Sequence, residues 1–93
     1  MYAVLIEVNV SEVDRTEGLK GLREQIVPAI SQLPGFQSGV WLPGNAAGPG
    51  LSLTVWHTEA SARTMAGRVG PEPSPQAGAT IERWEAREVA ATA

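Results

Sequence analysis

Leu51-Ser52-Leu53-Thr54-Val55-Trp56-His57-Thr58-Glu59-Ala60-Ser61-Ala62 contains a strand, a junction and the start of a helix. Leu51, Leu53 and Val55 alternate with Ser52, Thr54 and Trp56, the period of two that puts successive side chains on opposite faces of a sheet. Thr58 is a residue type whose hydroxyl accepts the free amide hydrogens of a first helical turn, and Glu59 suits the positive end of the helix dipole. Ala62, Met65, Ala66 and Val69 then recur at helical spacing, so a helix is expected from Glu59 to about Val69.

Upstream, Leu33-Pro34-Gly35-Phe36 stops one element and starts another. Proline and glycine end a helix, and Phe36 opens a strand to Leu42. Pro43 to Gly50 is rich in proline and glycine and reads as the loop joining two strands. Before the stop, Leu19, Leu22, Ile26, Ala29, Ile30 and Leu33 mark a helical stripe from Arg15 to Leu33, with Ser11 and Asp14 as capping types. Pro28 inside that stripe is expected to bend the helix or end it early, since it removes a backbone donor. Tyr2 to Val10 is a β-branched, apolar strand: Tyr2, Val4, Ile6, Val8 and Val10 share one face, and Ala3, Leu5, Glu7 and Asn9 the other. Downstream, Gly70 to Gly78 is a connection and Ala79 to Val89 a last strand. By strict alternation Ile81, Arg83, Glu85, Arg87 and Val89 share one face there, and neither face is cleanly apolar, as in an edge strand defended by charge.

The order is therefore β-α-β-β-α-β, an α+β, ferredoxin-like fold with a four-stranded antiparallel sheet and both helices on one face. Right-handed crossovers place the first and third strands in the centre. The second sheet face is left apolar and uncovered, which predicts a homodimer. The 93 residues make one domain, 1–93, of a size that buries only about two-thirds of its unfolded surface, so a partner subunit is an ordinary remedy.

Composition excludes several classes. A net charge of −3 does not suit a nucleic-acid binder, which needs a basic stripe. No apolar run approaches the roughly 20 residues of a membrane span. There are no cysteines and only one histidine, and no carboxylate cluster has ligand spacing, so neither disulfides nor a metal site are expected. The first ten residues read as a strand and not as a signal peptide, and the expected localisation is cytoplasmic.

The stretches Leu33-Pro34-Gly35-Phe36 and Leu53 to Ala62 resemble the dimeric α/β-barrel superfamily, and within it the antibiotic biosynthesis monooxygenase family. The resemblance extends over essentially the whole chain. It implies two sheets facing each other across a dimer, with a ligand cleft between each sheet and its helices. That family includes cofactor-free oxygenases of polycyclic phenols, haem-degrading enzymes and members without known activity. The haem-degrading branch places an Asn on the first strand and a Trp and a His on the second helix. The matching positions here are Glu7 and Met65, and the second helix has no His, so haem degradation is not expected. The cofactor-free branch implies an Asn and a Trp that hold a phenolate while it reacts with oxygen. Asn9 and Trp56 are of those types, and no cofactor is expected.

The individual residues admit two readings each. Glu7 is a base toward a phenol, or the partner of Arg83 or Arg87 on the neighbouring strand. Asn9 is a catalytic amide or a backbone cap. His57 is a general base, imidazole being the side chain that exchanges protons near neutrality, or a polar residue at a strand-to-helix junction. Trp56, Met65, Trp41 and Trp84 line a ligand cleft, or pack the sheet and a dimer core. Two functions follow: a cofactor-independent monooxygenase-like enzyme acting on a small aromatic compound, or a non-catalytic dimeric module that binds a small apolar ligand or accompanies a neighbouring enzyme.

Overall fold

The computed structural model describes residues 1–9, 15–44, 48–68 and 80–93. The expectations for Val10, Ser11, Asp14 and the 70–78 connection lie outside them. The elements are β1 (Tyr2–Asn9), α1 (Arg15–Gly21), a π-helical turn (Leu22–Ile26), α2 (Val27–Ser31), β2 (Phe36–Leu42), β3 (Gly50–Trp56), α3 (Glu59–Arg68) and β4 (Thr80–Glu88). The strands form one antiparallel sheet in the order β2-β3-β1-β4, which is the ferredoxin-like α+β arrangement.

The helical segment passes through Pro28 by widening. A proline ring collides with the carbonyl four residues back and offers no N–H. Here the preceding turn is π-helical, and the Val27 N–H reaches back five residues to the Leu22 carbonyl. The irregularity expected at Pro28 is this inserted turn, a recognised cause of helix distortion. The segment then ends in a tight turn, with the Phe36 N–H donating to the Leu33 carbonyl at 3.2 Å. Gly35 sits at φ +85°, the geometry of a type II turn with Pro34 before it.

The sheet has two unlike faces. Toward the helices, Val4 and Ile6 of β1 and Trp56 of β3 are buried with Ala62 and Met65 of α3. Ile30 and Leu33 close this core from the first helical segment, which packs beside β2, while α3 lies over β1, β3 and β4. Trp56 is held on two sides: its indole N–H donates to the Thr54 hydroxyl at 2.8 Å, and Phe36 meets its ring edge-on at 5.5 Å. Buried polar groups are thereby paired, and among the described residues no buried side-chain N or O lacks a partner.

The face away from the helices carries three cross-strand rows: Val40-Leu53-Leu5-Glu85, Leu42-Leu51-Glu7-Arg83 and Ser38-Val55-Ala3-Arg87. Each row ends on a charged residue at β4, and the first two are apolar across β2 and β3. The outer edges also differ. β2 has no ionisable side chain, whereas β4 carries Glu82, Arg83, Glu85, Arg87 and Glu88.

Two register shifts correct the alternation expected from sequence. On β4, Arg83 pairs with Glu7 but Ile81 pairs with Val8, so Glu82 is an extra residue. The bulge sends Ile81 to the helix side, where it packs on the core, and leaves Arg83, Glu85 and Arg87 on the other face. On β2, Phe36 pairs with Trp56 and Ser38 with Val55, so Gln37 is extra and Phe36 turns inward. Among the described residues no helix is long and apolar enough to cross a membrane.

Candidate functional site

Strand register places the sequence-derived candidates on three different parts of the molecule. Glu7 lies on the face away from the helices, half-buried, with a carboxylate oxygen 3.4 Å from Arg83 Nη1. Arg83 in turn donates to Glu85 at 2.6 Å, and Arg87 Nε donates to Glu85 at 3.0 Å, so the four groups make a continuous ladder. Asn9 ends β1 opposite Thr80.

His57 is exposed beyond the other end of β3. Its backbone N–H donates to the Gly35 carbonyl at 2.7 Å, and its Nδ1 stands 3.5 Å from Gln37 Nε2. Glu7 sits opposite Leu51 at the start of β3. Five residues of strand, about 17 Å, therefore separate it along the sheet from Trp56, the neighbour of His57. Glu7, Asn9 and His57 do not converge on one position.

The junction around His57 is built by its hydroxyls. Thr58 caps α3, its Oγ1 accepting the Ser61 N–H at 3.1 Å. Ser61 fits against Gly35 so closely that a Cβ at Gly35 would run into the Ser61 hydroxyl. In the first turn Glu59 pairs with Arg63 at 2.7 Å. Its hydrogen bond to Arg63, and then the guanidinium charge, hold the Glu59 carboxyl below its usual value. Glu59 and burial raise the Tyr2 phenol in turn, the carboxylate charge being the larger cause.

The remaining candidates are all on the helix side. Trp56 and Met65 are core residues, 1% and 3% exposed. Trp41 and Trp84 are not enclosed: Trp41 is half-buried and Trp84 is 45% exposed. The register puts them in a single row, Trp41-Ser52-Ile6-Trp84, with an indole on each edge strand and the small Ser52 between. Three strand spacings, about 14 Å, separate the two indoles along this row. The apolar stripe of the first helical segment is incompletely covered: Leu19, Leu22 and Ile26 are only half-buried, and α1, the π turn and α2 contain no fully buried residue. Apolar surface thus remains on the first helical segment and at the two indoles.

Sequence reasoning missed Gly39, two residues before Trp41 on the same face. The far edge of the Trp41 six-membered ring reaches over it, so a Cβ there would lie 2.5 Å from Cη2 and 2.6 Å from Cζ3. A glycine at i−2 from a tryptophan on an edge strand was the available signal. Among the described residues no group of three or more His, Asp or Glu is arranged to hold a metal ion.

The chain shares its fold with solved structures that include several of the haem-degrader MhuD. MhuD from Mycobacterium tuberculosis with two haems bound in its active site is 17% identical and has a TM-score of 0.65, covering 100% of this chain and 99% of that one. A mutant of MhuD with two manganese protoporphyrins IX per active site is 17% identical, with a TM-score of 0.62, over 100% and 98% of the two chains. The haem-free, cleaved protein from M. tuberculosis is 16% identical, with a TM-score of 0.61, over 100% and 99%. No family profile matches the sequence, and no curated protein matches it.

Proposed function

We propose that this protein is a cytoplasmic homodimer that binds a small, flat aromatic compound between the first helical segment and the helix side of its sheet. The observation that carries this reading is the incompletely buried indole of Trp41 on β2, the strand beside which the first helical segment packs, together with the half-buried stripe Leu19, Leu22 and Ile26 of that segment. Aromatic faces and aliphatic side chains around a few small polar groups are the ordinary lining of a small-molecule site. The flat macrocycles bound in the MhuD structures support a planar ligand class.

Dimerisation is supported by the other face. Val40, Leu42, Leu53 and their neighbours form an apolar field next to a charge-balanced ladder, Glu7, Arg83, Glu85 and Arg87. A second copy brings the same two elements, so the face is complementary to itself.

Binding without turnover is the first reading because the acid-base candidates stand apart. The second reading, a cofactor-independent oxygenase of a small phenol, is favoured by the fold. Titration with 1-naphthol followed by tryptophan fluorescence, beside oxygen uptake with a dihydroxynaphthalene, separates the two. Saturable quenching without oxygen consumption is expected. Oxygen uptake above the protein-free rate moves the protein to the second reading, and absence of saturable binding overturns the site. A parallel haem titration is expected to give no saturating Soret shift, since the only histidine is exposed and lies outside α3.

A further inference from the structure

Side chains on a strand ordinarily stand roughly perpendicular to the sheet. Trp41 does not. Its indole is laid back along β2, so that Cη2 and Cζ3 occupy the space a side chain at position 39 would need. Gly39 and Trp41 both face the helices, opposite Thr54 and Ser52 respectively. Gly39 is not in the left-handed region, so backbone conformation does not demand glycine there. What demands it is the ring.

The posture has a consequence for the space above the sheet. An upright indole at position 41 would stand away from the sheet on its helix side. A reclining one covers the strand at Gly39 with a single aromatic layer. We propose that Gly39 is a specificity-determining position acting through Trp41: it lets the indole lie down, and the recumbent ring is the platform on which a flat aromatic ligand stacks. The inference rests on the cleft reading above and adds the shape rule. An indole face laid along the strand offers planar aromatics a surface to stack on and gives no such contact to bulky alicyclic compounds of similar hydrophobicity. Ser52, beside Trp41 in the same row, is small enough to leave the platform clear.

The test is a double-mutant cycle with 1-naphthol as probe and decahydronaphthalen-1-ol, its saturated counterpart, as comparison. Gly39→Val forces the indole off the strand and is expected to weaken 1-naphthol binding at least tenfold, with a change in the near-UV tryptophan circular dichroism of the free protein. Trp41→Ala removes the platform and is expected to weaken binding about tenfold. The combination is expected to bind no worse than Trp41→Ala alone, because valine has no ring to displace. Wild type is expected to prefer 1-naphthol over the saturated alcohol at least tenfold, and Trp41→Phe to retain most of that preference. Gly39→Ala repeats the measurement if the valine variant melts early. Wild-type binding by Gly39→Val, or additive losses in the double variant, would overturn the inference and leave the cleft standing. Failure of wild type itself to bind 1-naphthol removes the cleft reading and this inference with it. In that case the near-UV spectrum of Gly39→Val still reports whether Gly39 sets the ring posture.

Discussion

Leu53→Glu is the most direct test of the sheet face. Leu53 lies in the row Val40-Leu53-Leu5-Glu85, and Val40, Leu42 and Leu53 keep 56%, 52% and 43% of their surface. Burying such a side chain completely is worth about 1.5–3 kcal/mol, so the half still exposed is worth about 0.8–1.5 kcal/mol. Three side chains on each of two copies give roughly 5–9 kcal/mol, comparable to the free energy of a micromolar complex before association costs are met. Leu5, Leu51 and Val55 and the charge ladder supply the remainder. Leu53→Glu removes roughly 1.5–3 kcal/mol across the pair and buries two carboxylates without partners, so the dissociation constant should rise at least about a hundredfold. The monomer should hardly notice, because position 53 is open to water in the single chain, and its stability should change by less than about 1 kcal/mol. Sedimentation velocity from 1 to 50 micromolar, with a urea melt alongside, reads both quantities. Wild type should sediment as a dimer and the variant as a folded monomer. A wild-type monomer at the top of that range, or a variant as dimeric as wild type, refutes the reasoning.

Three further outcomes are expected. Gly35→Ala puts a Cβ at φ +85° and against Ser61, and should cost about 1–3 kcal/mol, read as a lowered thermal midpoint. Glu7→Gln should cost less than about 1 kcal/mol, because Arg83 is half-exposed and keeps Glu85 as a partner; a loss above 2 kcal/mol in chemical denaturation of the monomeric Leu53→Glu background would contradict this. Stability should decline in acid through α3: the Glu59 carboxyl is depressed, so its contribution is present above the usual value of 4.5 and is lost as pH falls through the lower folded value. Glu59→Gln should flatten that part of the pH-stability curve, and an unchanged curve counts against the Arg63 pairing.

The central strands were legible because their alternation is unbroken over the paired stretch. Val4 and Ile6, and Thr54 and Trp56, fall where period two puts them. The edge strands were not, and the reason is countable in residues. Glu82 and Gln37 each insert one position, and one position is enough to move Ile81 and Phe36 to the opposite face. Read straight, β4 mixes Ile81 with arginines; read with the bulge, it separates into a core contact and a charged ladder. The helical segment was readable as a stripe, but the means of carrying Pro28 was not, since a π turn has no periodic signature of its own. At the candidate site, Trp41 and Trp84 could be named as large rings, yet their common row depends on pairing through Ser52 and Ile6. Gly39 was invisible for a different reason: its role lies in where another residue's ring comes to rest.

The unequal edges of the sheet govern what happens in concentrated solution. An outer strand exposes unspent backbone donors and acceptors to which another strand can add, and charge on the strand is one of the features that oppose this. β2 has no such protection, while β4 carries five ionisable groups. Were two molecules to pair along β2, they would cap each other and show only their charged margins outward, so growth in that direction would stop after one step. A ribbon requires two adhesive margins per molecule, and this one has a single one. Neutralising the β4 charges would supply the second, turning a self-limiting contact into a route to fibres. Selection on that strand can thus act through the insolubility of its variants, independently of anything the protein binds.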